Sequence, residues 1–187
     1  MLDWFFSFFD RIAQSFIWKT FLAHFHWVDW FAVMFVIAGI LYGLRNGLMS
    51  ELAEILEILI VIVLTHEYYV RLNFLLRQLF SKLSEAPLPA VSFILTGGLI
   101  WFVVAFAASR LRKLVHTQTL PLLRISGGAV LGAVHALLIF SFMSQAVLLM
   151  PITSLKKAYE SGGSQFGAAI ASLSPKVHQI ITERSFK

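Results

Sequence analysis

The most informative segment of the sequence runs from residue 28 to residue 51 and reads VDWFAVMFVIAGILYGLRNGLMSE. Between Asp29 and Arg45 it carries no charged residue. Crossing the hydrocarbon core of a bilayer, about 30 Å thick, takes about 20 helical residues. The segment therefore predicts a first membrane span over residues 28–44 and the start of a second helix at Leu48, with Glu51 in its first half.

The composition of the whole chain agrees with a membrane location. The 187 residues are 58% hydrophobic and 13% charged, whereas soluble domains average about 45–50% apolar and about 25% charged residues. The net charge of +5 lies between apolar runs, so it indicates juxtamembrane charge and disfavours nucleic-acid binding. The chain contains no cysteine, which excludes disulfides and thiolate metal sites.

The chain is predicted to be an all-α integral membrane protein with about four transmembrane helices plus amphipathic interfacial helices. Open strands leave backbone groups unpaired in lipid, and no segment alternates as the strands of a closed barrel do. The second span is the least well supported of the four, because three glutamates lie in its first half. The predicted spans are residues 28–44, 48–65, 88–109 and 125–150, within a membrane domain of residues 27–150 that follows an N-terminal segment, 1–26, and precedes a C-terminal tail, 151–187.

Two segments have an apolar face and a polar face at helical spacing. Residues 1–26 place phenylalanines opposite polar side chains, and residues 68–83 place leucines opposite arginines. Both patterns predict helices that lie in the membrane interface. The alternative is that they are ordinary amphipathic helices packed on other helices. The number of basic residues and their density per loop favour opposite orientations, so the orientation stays open.

Small residues recur every four positions in the first and last spans. Because lipid gives helices no hydrophobic reason to associate, small residues that let backbones approach supply the contacts instead. The pattern predicts a tight interface, either internal or between copies of the chain; the alternative is that glycine is simply common in membrane helices. The two series are Gly39, Gly43 and Gly47 in the first span and Gly128, Gly132 and Ala136 in the last.

Glu51, Glu54 and Glu57 form an acidic stripe on one face of the second predicted helix. A carboxylate at mid-bilayer costs about 2.5–3.5 kcal/mol on insertion scales, so the stripe must face protein, water or headgroups. It could form an ion or proton path, for which Arg124 and His135 are the candidate partners. The alternative is a helix that simply starts at the membrane surface, and a lone histidine is more often a packing residue than a proton carrier.

Motifs of enzymes and cofactor sites do not occur in the sequence. His66-Glu67 is not followed by a second histidine at zincin spacing, and no phosphate-binding loop or nucleophile elbow is present. Asp29 is the only aspartate in any predicted span, which disfavours catalysis by paired aspartates. We therefore expect neither an enzyme nor a cofactor or metal site.

Two stretches resemble the colicin V production protein (CvpA) family over about residues 28–150. In the first, Asp29 opens a span and Arg45, Gly47 and Glu51 match the turn into the next helix. In the second, Arg124 is followed by Gly128 and Gly132. That second stretch departs from the family pattern: its small residues lie one position later than usual, the last of them is an alanine, and His135 stands where an arginine is frequent.

The resemblance implies a small, non-enzymatic, multi-pass protein of the bacterial inner membrane, linked to colicin V production or export and to envelope homeostasis. Its expected partners are the lipid bilayer, export machinery and a second copy of the chain, with no nucleic acid. The residues themselves keep a rival function open, a small channel or a proton- or cation-coupled transporter that uses the acidic stripe.

Overall fold

The computed structural model describes residues 26–79, 86–112, 121–159, 164 and 167–185, and all secondary structure in these ranges is helical. The predicted N-terminal interfacial helix falls on residues 1–26 and, except for His26, lies outside the described residues. The helices are α1 (Trp27–Asn46), α2 (Leu48–Leu79), α3 (Leu88–Arg112), α4 (Pro121–Leu149), α5 (Thr153–Tyr159), α6 (Gly167–Ala171) and α7 (Leu173–Ser185).

Three helices in the described part of the chain are long and apolar enough to cross a membrane. They comprise Trp27–Asn46, Leu88–Arg110 and Arg124–Leu149, and their bounds agree with those of the first, third and fourth predicted spans to within a few residues. The prediction of an all-α, multi-pass membrane protein is confirmed.

The prediction that residues 48–65 form a membrane span, the second of four, is wrong: α2 is not among these three helices, because it carries charge near both ends. Its uncharged stretch lies between Glu57 and Glu67 and is nine residues long, or about 14 Å of helix against about 30 Å of hydrocarbon. The separate in-plane helix predicted over residues 68–83 is also wrong as an independent element. As far as Leu79, those residues continue α2 without a break.

Helix α4 lies at the centre of the bundle, with α1, α2 and α3 packed around it and α2 also packed along α3. One buried cluster joins Val28 and Ala32 of α1 to Phe140 of α4. A second joins Ile62 of α2 to Leu138 of α4. Large apolar side chains of α3 point outward, and one of them, Phe102, is 68% exposed. Such a surface is suited to lipid contact and not to water.

The residues after Met150 fold back onto α4 through polar side chains of that helix. The backbone N–H of Ser174 donates to Ser141 Oγ at 2.8 Å, and Gln145 donates from its side chain to the carbonyl of Ala171. Polar groups inside an apolar helix need such partners, since burial without one is costly. The C-terminal helices are thus positioned by hydrogen bonds.

Candidate functional site

The turn between α1 and α2 depends on Gly47. This residue has φ +86° and ψ 168°, a conformation that is essentially restricted to glycine. Its N–H donates to the carbonyl of Gly43 at 2.9 Å, which closes α1. A Cβ at position 47 would also meet the aliphatic side chain of Arg124. Arg45 is exposed at the end of α1.

The two series of small residues predicted from the sequence face each other within one chain. A Cβ on Gly39 would come closer than 3.0 Å to the Gly132 carbonyl and to Ala136, and one on Gly43 would do the same to the carbonyl of Gly128. The backbones of α1 and α4 therefore touch, which only glycine permits at these positions. An interface between two copies through the same residues stays a prediction.

Asp29 is completely buried at the start of α1. Its Oδ2 accepts the backbone N–H of His26 at 3.0 Å, and its Oδ1 accepts the hydroxyl of Ser164 at 2.5 Å. Ser164 Oγ in turn accepts the N–H of Gly167 at 2.6 Å, where α6 begins. A residue near the N-terminus of α1 thus fixes a segment 135 positions later in the chain. No signal in the sequence indicates Ser164.

Glu51 and Glu54 meet His135 at the junction of α2 and α4. His135 Nδ1 lies 3.4 Å from Glu51 Oε2 and 3.5 Å from Glu54 Oε2. Glu54 also accepts a hydrogen bond from Ser50 Oγ at 3.3 Å. The spacing of three residues puts both carboxylates on one face of α2, and α4 supplies the imidazole from the opposite side.

Of the two candidate partners, the structure therefore brings His135 to the acidic stripe, while Arg124 lies elsewhere. Arg124 is exposed and lies against Gly47. Arg45, which would be near enough in sequence to pair with Glu51, forms no ion pair with it among the described residues. Glu51 and His135 are far apart in the chain and lie on different helices, so a pattern along one helix does not reveal their contact.

A cavity of 630 Å³ opens beside this cluster, between α2, α3 and α4. Glu54, Glu57 and His135 contribute carboxylates and an imidazole to its lining, and apolar side chains such as Trp101 supply most of the rest. Glu51 does not line the cavity, and Glu57 does not belong to the three-residue cluster. The two sites thus share only Glu54 and His135.

Two carboxylates and one imidazole can hold a cation or pass a proton. One ligand atom from each of Glu51, Glu54 and His135 lies within 4.8 Å of the others. The sequence offered His135 as one of two candidate partners of the stripe but carried no metal-binding motif, because two of these residues lie on one helix and the third lies on another helix that is distant in sequence.

The comparison with protein families gives a match to the colicin V production protein family over residues 28–175. The matched range includes the glycines at the contact of α1 and α4 and the cluster of Glu51, Glu54 and His135. It also includes Asp29 and Ser164, which are hydrogen-bonded to each other. Neither a curated protein nor a solved structure matches the chain. Because the family match covers well over half of the sequence, this chain belongs to the colicin V production protein family.

Proposed function

We propose that this protein is a non-enzymatic accessory protein of the bacterial inner membrane that acts in the production and export of colicin V and in envelope homeostasis. The family supplies the link to the toxin. The observation that carries the rest of the proposal is the placement of the matched residues: Asp29, Gly47, Gly128 and Gly132 all form close contacts between segments. They build a framework, as an assembly protein requires.

The outer surface supports the same proposal. Helix α3 presents a long apolar face that includes Leu99 and Phe102, both of which are mostly exposed. Apolar faces in a membrane contact lipid or the helices of another membrane protein. A firmly packed core with such a face suits a protein that positions export components.

Secretion of colicin V by a producing strain tests this proposal. We expect removal of the chain to lower the extracellular toxin, measured as growth inhibition of a sensitive strain, and the intact chain to restore it. The Gly98→Leu variant should restore secretion as well, because nothing lies within 4 Å of an added Cβ at that position. Unchanged secretion without the chain would contradict a role in export.

A second candidate function, a small channel or a proton- or cation-coupled transporter, is supported by the cavity. Glu54, Glu57 and His135 line it between three helices. Ionisable side chains inside membrane proteins commonly mark ion or proton pathways, because they are costly to keep there without a role.

The Glu57→Gln substitution separates the two candidates. Under the transport function it should abolish proton or cation flux in vesicles reconstituted with the purified protein, because it replaces an ionisable carboxyl group on the cavity wall with an amide of nearly the same shape. Glu67→Gln on the same helix is the matched control: Glu67 pairs with Arg71 at 3.8 Å and does not line the cavity. If the flux is the same in both variants and in the unmodified protein, transport through this cavity is excluded.

A further inference from the structure

The cluster of Glu51, Glu54 and His135 has the donor arrangement of a metal site. Two carboxylate oxygens lie 3.4 and 3.5 Å from the same imidazole nitrogen. Two donors on a tetrahedral ion, each about 2.1 Å from the metal, are about 3.4 Å apart. The two separations between the imidazole and the carboxylates are therefore those that a single small cation would impose, and the three donor atoms all lie within 4.8 Å of one another.

Glu51 supplies an independent observation. Its side chain is completely buried, and neither of its carboxylate oxygens has a hydrogen-bond partner. His135 Nδ1 lies 3.4 Å from one of them. In the described residues no lysine or arginine pairs with Glu51. A buried carboxylate is costly unless it is paired, hydrogen-bonded or bound to a metal, and here it points at two further ligands.

Access to the cluster is open from one side. Glu54 and His135 also line the cavity between α2, α3 and α4, so an ion can reach them without unpacking the glycine contacts of α1 and α4. The same cavity has room for water molecules to complete the coordination shell. Glu51 lies behind them as the buried third ligand.

We propose that Glu51, Glu54 and His135 bind one divalent transition-metal cation of the Zn²⁺ class. An imidazole nitrogen together with carboxylate oxygens favours such ions over Mg²⁺ and Ca²⁺, which prefer oxygen ligands alone. The site depends on neither the role in export nor the transport function, since it requires only that the ion be held. Its three ligands tie α2 to α4 across the centre of the bundle.

Metal binding to the purified full-length protein tests the proposal. The protein, prepared in detergent without an affinity tag and treated with a chelator, is titrated with Zn²⁺ in a calorimeter. We expect saturation at one ion per chain and a rise in the melting temperature. Loss of one direct ligand in Glu51→Gln or His135→Ala should weaken binding roughly 100-fold or more, since loss of even an outer-shell group costs about 10–100-fold. Mg²⁺ should bind far more weakly.

Two control variants keep the result interpretable. Glu57 lines the cavity but is outside the cluster. The Glu57→Gln variant should therefore bind Zn²⁺ as tightly as the unmodified protein does, even if it loses flux. The rings of His178 and His66 stack with their centroids 5.4 Å apart, and this pair is an alternative place for Zn²⁺ to bind. The His178→Ala variant removes that pair and should also leave the Zn²⁺ affinity unchanged.

Three outcomes would overturn the proposal: no saturable binding to the unmodified protein, equal affinity in Glu51→Gln, or loss of the bound ion in His178→Ala. If Glu51→Gln does not elute as the folded protein, Glu54→Gln replaces it. The Glu54 side chain is less buried than that of Glu51, so its amide can be solvated, and the variant should fold and show the same loss of Zn²⁺ affinity. Full affinity there would also contradict the site.

Discussion

The Gly132→Leu substitution should lower the free energy of unfolding of this protein severely. An added Cβ at position 132 would come closer than 3.0 Å to the carbonyl of Gly39. The obstacle is backbone, so α1 and α4 must separate. Overpacking of a core typically costs about 1–3 kcal/mol, and at a backbone contact we expect about 3 kcal/mol or more. This corresponds to a fall of about 6–12 °C in the melting temperature measured in detergent.

The matched control is Gly98→Leu on α3. The same side chain is added to a glycine in a membrane span, but no atom lies within 4 Å of the new Cβ. Its melting temperature should stay within a few degrees of that of the unmodified protein. If both variants melt alike, the contact between α1 and α4 does not hold the bundle together.

The Asp29→Ala substitution should release the C-terminal helices from the bundle. It removes the acceptor of the Ser164 hydroxyl and of the His26 N–H. Of these two bonds, the one from Ser164 joins α1 to the C-terminal segment. A hydrogen bond to a carboxylate contributes about 1.5–3 kcal/mol, so we expect the attachment of that segment to weaken by about that amount. Trypsin cleavage after Lys157 and Lys176 should become about 10–100-fold faster, because 1.4 kcal/mol corresponds to a factor of about ten in the population of the open state.

Two further variants test whether Asp29 acts through Ser164. Ser164→Ala removes the bond that joins the two segments and leaves the His26 bond in place. It should accelerate cleavage about as much as Asp29→Ala does, and the double variant should cost less than the sum of the single changes. Glu183→Ala removes a carboxylate on α7 that accepts an exposed hydrogen bond from Gln179, and it should change stability by less than about 0.5 kcal/mol. Equal cleavage rates in Asp29→Ala and Glu183→Ala would mean that the Asp29 contact does not secure the C-terminal segment.

The second predicted span shows how apolar content can mislead. Residues 48–65 are apolar enough to suggest a span, but α2 continues to Leu79 and includes further charged residues. The sequence pattern suggested that the helix ended near Thr65, whereas the folded helix continues to Leu79 and packs against α3, α4 and α7. Neighbouring helices stabilise a segment that local propensity alone would interrupt.

The candidate site shows the same division between local and long-range information. The stripe of Glu51, Glu54 and Glu57 follows from helical spacing alone. That Glu51 and Glu54 face His135, while Glu57 faces the cavity with Glu54, depends on the position of α4. Since Arg124 and His135 lie on the same helix, only the relative rotation of α2 and α4 could settle which of them reaches the carboxylates.

The membrane environment, the helical class and the family of this protein all follow from the order of its residues, because apolar content, run length and short glycine motifs are read along the chain. The contact between the two glycine series, the hold of Asp29 on Ser164, and the approach of a buried carboxylate to an imidazole follow only from the folded chain. These contacts join residues far apart in sequence, and their geometry depends on how whole helices pack, which no local pattern encodes.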